Sequence, residues 1–360
     1  MSAKQRIGIL TSGGDAPGLN AGIRAVSRTL INRYDMTVIG IEKGYKGLIE
    51  NQHRILTANE LSGILARGGT ILGTSREKPF KDKDWKADSG FGAVDKIKKN
   101  YKNLRLDGLI VLGGNGTHTT AHLLAQEGLR IIGMPKTIDN DIVCTDITFG
   151  FYTALDVATN AIDRLHSTAT SHNRVMIIEV MGHKAGWLTL YSGVAGGGDV
   201  IIIPEIPYDI SCIAEHLKKR AAGGKEFSIV VVAEGAISIT EKDYDKKTLK
   251  KIRSKMTGSI SYQIAREIEA STGLEPRVTV LGYLQRGGIP CANDRLLATE
   301  FGTAAADMAA REDYGKMVAL QNNKIVSVPL ADVADKIKPV PMDDPMILAA
   351  KNVGTCLADN

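Results

Sequence analysis

Short apolar runs punctuate the chain at residues 6–10 (RIGIL), 37–41 (TVIGI), 108–112 (GLIVL), 129–134 (LRIIGM), 174–181 (RVMIIEVM), 200–204 (VIIIP) and 228–233 (SIVVVA). Each is too short for a stable helix and stops at a turn-forming or polar residue, as buried strands do. Between them, apolar residues recur at helical spacing. This predicts helices over Leu19–Arg33, Phe91–Asn103, about Thr119–Glu127, Phe151–Thr168, Gly186–Ala195, Ser211–Ala222, Ser259–Thr272 and Ala298–Glu312. Thr57-Ala58-Asn59-Glu60 opens one more, with Thr57 or Asn59 as its cap. Gly44–Leu48 reads as a loop and Lys78–Ser89 as an exposed, charged excursion. Arg277–Leu284 reads as another strand. Met317–Leu320 and Lys324–Val328 bracket Gln321-Asn322-Asn323 as a hairpin, because asparagine tolerates the turn.

Strand, turn and helix in regular succession indicate a parallel sheet covered by helices on both faces. The expected fold class is α/β, with two similar three-layer αβα domains, mostly parallel sheets and an active-site cleft between them. The chain's 360 residues accommodate two domains, expected at 1–150 plus about 290–336 and at 151–289 plus about 337–360. No linker or low-complexity segment separates the halves.

Open α/β sheets bind ligands beyond the C-terminal ends of their strands. There the sequence turns abruptly polar at three places. Thr11–Gly18 (TSGGDAPG) follows the first strand. It carries neither Gly-x-Gly-x-x-Gly nor a Walker lysine. Glycine nonetheless lets the backbone approach a phosphate, and the following helix offers unpaired N–H groups. Gly113-Gly114-Asn115-Gly116-Thr117 gives a second such cradle. Pro135-Lys136-Thr137-Ile138-Asp139-Asn140-Asp141 crowds a lysine, a hydroxyl, two carboxylates and an amide at the end of a third strand. Alternating Asp139 and Asp141 suit one general base and one organiser of metal or phosphate; a capped turn would use the same residues. Arg76 closes the glycine-rich stretch Gly68–Arg76. Arg174, Arg277 and Arg286 also sit beside element edges, and their planar forks match phosphate oxygens. Glu234 ends a buried strand and can hold sugar hydroxyls. The pattern points to phosphoryl transfer from a bound phosphate donor to an anionic, sugar-like acceptor, where positioning and charge stabilisation dominate.

Composition removes several alternatives. Lysine and arginine exceed the acids by 45 − 40 = 5. That charge is scattered, except at Lys246–Lys255, which reads as a solvated helix face, so no nucleic-acid partner is expected. The four cysteines are far apart and form no CxxC pair, and the seven histidines form no HxxxH pair. Neither a zinc site nor a disulfide framework is suggested. No signal-peptide pattern and no membrane-length apolar run is visible, so the chain reads as cytoplasmic, with no membrane association.

Eight segments resemble the phosphofructokinase family: TSGGDAPGLNAGIR, GGTILGTSR, LIVLGGNGT, PKTIDNDI, AIDRLHSTATSHNRV, EVMGHKAGW, VTVLGYLQRGG and DRLLA. They stand in family order and cover most of the chain. Lys136 and the segment Met181–Trp187 resemble the subgroup that mixes ATP-using and pyrophosphate-using members. The resemblance implies a 6-phosphofructokinase acting on fructose 6-phosphate with ATP or pyrophosphate, with Mg²⁺ as cofactor. Asp139 would then be the base at the sugar 1-hydroxyl, with Thr137 and Asp141 assisting at the transferred group. Gly13, Arg76, Gly114, Asn115, Gly116 and Thr117 would line the donor site in the first domain. Met181, Gly182, His183, Glu234, Tyr283, Leu284, Gln285 and Arg286, with Ile138 beside the base, would hold the sugar phosphate. Arg174 and Arg277 would reach in from a neighbouring subunit, which implies a homo-oligomer, dimer or tetramer, with shared active sites. Asn115 and Asp141 would stand nearest the metal, although Asn115 occupies a position that is usually acidic in the family.

Other departures concern donor and regulation. Glu77 replaces an aromatic residue beside the donor arginine, and His183 replaces a sugar-site arginine. Arg24, Arg28 and Lys225 match basic positions of allosteric members, whereas His166 and Gly223 do not. An aspartate at the position of Gly116 accompanies pyrophosphate use in this family, because it fills the space of the ATP α-phosphate. Gly116 therefore favours ATP; Lys136 is the pyrophosphate-associated choice. A lysine can swing aside, whereas an absent side chain cannot block a site, so ATP is the expected donor.

Overall fold

The computed structural model describes residues 4–81, 92–170, 174–254 and 257–359. The first half contains, in order, β1 (Arg6–Thr11), α1 (Leu19–Tyr34), β2 (Thr37–Ile41), α2 (Gly44–Glu50), β3 (His53–Ile55), α3 (Ala93–Asn103), β4 (Gly108–Gly113), α4 (Asn115–Gln126), β5 (Ile131–Pro135) and α5 (Phe151–Ala169). There follow β6 (Val175–Val180), α6 (Trp187–Ala195), β7 (Val200–Ile202), α7 (Ile210–Ala222), β8 (Ser228–Ala233), α8 (Lys246–Arg253), α9 (Ile260–Thr272) and β9 (Pro276–Val280). The chain ends with α10 (Ala292–Ala310), β10 (Lys316–Gln321), β11 (Lys324–Pro329), α11 (Leu330–Val333) and α12 (Pro345–Asn352).

Two compact units result. The first takes the chain up to Ile138, Ile142–Thr153 and Arg286–Ile337; the second takes Asp139–Asp141, Ala154–Gln285 and the chain from Lys338 onward. These divisions differ from the expected ones at Asp139–Asp141, which join the second unit. The reason is local: the Lys338 N–H donates to the Asp141 carbonyl at 2.8 Å.

In the first unit a seven-stranded sheet runs β11-β10-β5-β4-β1-β2-β3. It is parallel except where β3 and β11 pair antiparallel at its two edges. Side chains alternate across it, as the pleat requires. Ile110 and Leu112 of β4 cluster with apolar residues of α1 and α10, and Leu109 and Val111 cluster with those of α2, α3 and α4. Each such side chain, fully buried, contributes about 1.5–3 kcal/mol, which fixes the register that aligns the strand ends. The β10–β11 hairpin turns on Asn322 and Asn323, with φ of 50° and 59° and Gln321 facing Lys324. That is the type I′ geometry asparagine favours.

The second unit has a parallel four-stranded sheet, β7-β8-β6-β9. Val175, Ile177, Val230 and Val232 bury one face against α7 and α9. The tail covers the free edge of β7: the Ile201 N–H donates to the Cys356 carbonyl at 2.9 Å and the Cys356 N–H to the Asp199 carbonyl at 3.0 Å.

Four local expectations are corrected. Gly44–Leu48 is not a loop but the body of α2, where Tyr45, Leu48 and Ile49 are buried at helical spacing. Tertiary packing there overrides glycine's poor helix propensity. Thr57–Glu60 forms a turn rather than a helix start. Thr57 bonds the Glu60 carboxylate as a cap would (2.9 Å), but Gly63 at φ 72° follows and no helix propagates. The strand from Arg277 stops at Val280, and Gly282–Arg286 coils into a 3-10 turn. The helix after Gly113 begins at Asn115, four residues earlier than expected. Charged residues 241–255 include α8, whose Lys247 and Lys251 are exposed. Phe91, Lys255 and residues 82–89 of the charged excursion lie outside the described residues.

Candidate active site

Because β1, β4 and β5 are adjacent and parallel, the turns after them emerge at one edge of the first unit's sheet. The turn after β1 is latched to the glycine-rich stretch that ends on Arg76. The Gly13 N–H donates to the Ser75 carbonyl at 2.9 Å, and the Thr74 hydroxyl donates to the Gly13 carbonyl at 2.6 Å. The Thr11 hydroxyl donates to the Gly73 carbonyl at 2.7 Å. Asn20, fully buried on α1, completes the latch: its amide N–H donates to the Arg67 carbonyl (3.0 Å) and its oxygen accepts the Ile71 N–H (2.8 Å).

After β4, Gly114 is the N-cap of α4, so Asn115, Gly116 and Thr117 form the helix's first turn. The Thr117 N–H bonds the Gly114 carbonyl at 3.0 Å, and the turn as a whole carries the positive end of the helix dipole. A Cβ built on Gly116 meets no atom within 4 Å. The Thr117 carbonyl accepts the Tyr45 hydroxyl at 3.0 Å, which packs α2 under this turn. Next in line, the His118 Nδ1–H donates to the Gly114 carbonyl at 2.9 Å. Burial, with the nearby Lys136 ammonium, outweighs that bond and lowers the imidazole's pKa to about 4.

Lys136, at the end of β5, is only 3% exposed. Its ammonium donates to the Ser12 carbonyl (3.4 Å) and the Gly14 carbonyl. Arg286 reaches the same turn, donating to the Asp15 carbonyl at 3.0 Å. A Cβ on Gly14 would lie 2.5 Å from the Arg286 Nη1, so a larger residue there would displace the guanidinium. The first unit thus brings Gly13, Thr117, Lys136 and Arg286 together around one turn, beside Ser75 and Arg76. The Thr137 carbonyl accepts the Thr148 hydroxyl at 2.8 Å. Two residues further on, buried Asp294 of α10 accepts the Gly150 N–H (2.9 Å) and the Thr153 N–H (2.8 Å), capping the start of α5.

In the second unit, the ends of β6, β8 and β9 converge. The Met181 N–H donates to the buried Gln285 Oε1 at 3.2 Å, and the Glu234 N–H donates to the Val180 carbonyl at 2.9 Å. Gly235 lies so close that a Cβ would stand 2.2 Å from the His183 carbonyl oxygen. Met181, Gly182, His183, Glu234 and Gln285 therefore form one group. Tyr283 and Leu284, in the 3-10 turn, point outward and are 76% and 70% exposed.

Arg174 and Arg277 are not part of that group. They sit at the opposite, N-terminal ends of β6 and β9, and both bind Glu275: Arg174 at 2.8 Å, Arg277 also in direct contact. The Arg174 hydrogen bond, with the charge of both guanidinium groups, holds the Glu275 carboxyl below its usual pKa.

Asp139–Asp141 lead into the second unit with Asn140 at φ 49° and Asp141 almost fully buried. Among the described residues, no three His, Cys, Asp or Glu side chains gather as a metal cage. Mg²⁺ needs none, since it is held through one or two carboxylates, waters and substrate phosphates.

The sequence profile described as Phosphofructokinase matches residues 6–309. The chain belongs to the phosphofructokinase family. It is 61% identical over 360 residues to the ATP-dependent 6-phosphofructokinase of Spirochaeta thermophila, covering 99% of this chain and 98% of that one. It is 48% identical to the ATP-dependent 6-phosphofructokinase of Propionibacterium freudenreichii, covering 98% and 99%. Among solved structures, phosphofructokinase from Saccharomyces cerevisiae superposes with a TM-score of 0.79 at 30% identity; 92% of this chain is matched, but only 45% of the yeast chain. A pyrophosphate-dependent phosphofructokinase from Marinobacter aquaeolei shares the fold at 23% identity, with a TM-score of 0.79 and coverage of 98% and 88%.

Sequence reading gave no individual role to Asn20 or Asp294. Asn20 is an amide on the apolar face of a helix, and Asp294 lies inside the DRLLA segment. These are weak signals, because the partner of each comes from a distant segment.

Proposed function

We infer that this phosphofructokinase transfers the γ-phosphoryl group of ATP to the 1-hydroxyl of D-fructose 6-phosphate, giving fructose 1,6-bisphosphate. The observation that carries this reading is end-to-end similarity, at 61% identity, to a relative named an ATP-dependent 6-phosphofructokinase. The open space at Gly116 supports the same donor.

In this reading the first unit is the donor domain. Gly13, Arg76 and the first turn of α4, with Gly114, Asn115, Gly116 and Thr117, would hold the phosphates through backbone N–H groups, the helix dipole and one guanidinium. The second unit is the fructose 6-phosphate domain. Met181, Gly182, His183, Glu234 and Gln285 would hold the sugar, with Ile138, Tyr283, Leu284 and Arg286 alongside. Asp139 would take the proton of the 1-hydroxyl as its oxygen bonds to the γ-phosphorus and ADP leaves. Thr137 and Asp141 would steady the transferred group. Bound Mg²⁺ would supply charge neutralisation at the phosphate oxygens, held by Asp141 and, less directly, by Asn115. Arg174 and Arg277, remote from this group within one chain, would serve the site of a neighbouring subunit in a homodimer or homotetramer. Cytoplasmic location and glycolytic use accord with the family; no helix among the described residues is long and apolar enough to cross a membrane.

Lys136 is the feature that speaks for pyrophosphate. Its ammonium already faces the Ser12 and Gly14 carbonyls, which gives it work independent of the donor. The test supplies purified protein, Mg²⁺ and fructose 6-phosphate with ATP or pyrophosphate and measures fructose 1,6-bisphosphate. Product with ATP is expected; product with pyrophosphate alone would reverse the donor assignment.

A further inference from the structure

Lys338 makes contacts that join two parts of the second unit. Its N–H donates to the Asp141 carbonyl at 2.8 Å, and its ammonium donates to the Asn140 Oδ1 at 3.2 Å. The same ammonium stands 5.3 Å from the centre of the Trp187 ring, and the Lys338 carbonyl accepts the Trp187 indole N–H at 2.9 Å. Two residues later, the Val340 N–H donates to Glu205 at 2.8 Å. The Glu205 carboxylate also takes the Gly186 N–H, at 2.9 and 3.1 Å. Burial raises the Glu205 pKa against the pull of these bonds.

Gly186 and Trp187 end the loop that begins at Met181. One short segment is therefore bonded on one side to the stretch that carries Asp139, and on the other to the loop that carries Met181, Gly182 and His183. Asn140 holds a left-handed backbone, a conformation that asparagine tolerates and that surrounding contacts can restrain. The Lys338 ammonium on its side chain is one such restraint.

We propose that Lys338 is a positioning residue: it sets the Asp139–Asp141 stretch against the Met181–Trp187 loop and so aligns the base with the sugar hydroxyl. This rests on the phosphofructokinase reading of the site. Misplacing reacting groups by an ångström costs up to about a hundredfold in rate, so a single lost restraint should be visible in turnover.

Lys338→Met keeps the backbone bonds and the methylene stem but removes the ammonium. With ATP, Mg²⁺ and fructose 6-phosphate, kcat is expected to fall about tenfold while KM for ATP stays within about twofold. Lys338→Arg restores a cation and a donor, and should recover most of the loss. Asn140→Gly removes the partner amide at a φ that glycine tolerates. Combined with Lys338→Met it should cost little more than the larger single loss, because the ammonium–amide contact is common to both changes. An unchanged kcat in Lys338→Met, or losses that multiply in the double variant, overturns the proposal, while wild-type turnover in the same assay leaves the phosphofructokinase reading intact. Should the wild type form no product, amide hydrogen exchange decides: faster exchange across residues 138–142 in Lys338→Met supports the restraint, and unchanged exchange overturns it.

Discussion

Gly116 separates the two donors through one missing side chain. An aspartate there would meet no atom of the fold at its Cβ, so the substitution should be tolerated structurally and act on the ligand. Gly116→Asp is expected to raise KM for ATP about tenfold or more and leave KM for fructose 6-phosphate within about twofold, because only the donor's space is filled. Initial-rate kinetics with each substrate varied in turn would show this; equal losses for both would count against the steric argument. A second residue-scale prediction concerns His118. Its folded-state pKa of about 4 lies below the ordinary value of 6.5. The unfolded chain therefore takes up the proton first as pH falls. The stability involved is complete above pH 6.5 and is lost between about 6.5 and 4, at up to about 1.4 kcal/mol per pH unit. His118→Asn, whose amide can still donate to the Gly114 carbonyl, should flatten that acid slope in urea titrations; an unaltered slope would show that other groups set it. Residues such as Thr137, Asp139 and Asn115 stand out in the sequence as candidates because an abrupt polar cluster after an apolar run is a local signal. Asn20, Glu205 and Lys338 do not, because each acts on backbone groups far away in the chain.

At the scale of elements, the sequence reveals what periodicity controls and conceals what tertiary contacts control. The central strands and most long helices appear where apolar spacing predicts them, since burial of those faces drives their formation; α10 instead starts at Ala292, six residues before the expected Ala298. α2 was hidden because its two glycines argue against a helix, and only the pocket for Tyr45 makes it one. The 3-10 turn after β9 was hidden because Tyr283 and Leu284 look like strand residues but are not buried. Asp294 shows an element fixed from outside: a carboxylate of α10 caps α5, and α5 in turn fixes where the loop carrying Thr148 meets Thr137. Asp294→Ala leaves two backbone N–H groups without their acceptor. It should lower unfolding stability by about 3 kcal/mol, measurable by chemical denaturation. A loss below about 0.5 kcal/mol would mean that water replaces the carboxylate at little cost.

At the scale of the whole molecule, the α/β class and two-unit plan follow from the strand–turn–helix rhythm, whereas assembly leaves no periodic trace. Arg174 and Arg277, held by Glu275 at the far ends of their strands, make the shared-site proposal testable by mixing. Asp139→Ser and Arg174→Ala should each have turnover reduced by orders of magnitude. Hybrids formed from the two variants should regain part of it, because a subunit that keeps Asp139 can receive Arg174 from its neighbour. Absence of recovery, with hybrid formation verified by mass, would place Arg174 in its own chain's site.

The last residues of the chain have a consequence of their own. Cys356 bonds along β7, where it occupies the backbone groups of a strand that would otherwise face solvent. An unpaired edge strand is a template for joining molecules to one another. Removing residues 355–359 is therefore expected to uncover that flank and promote self-association, measurable by light scattering.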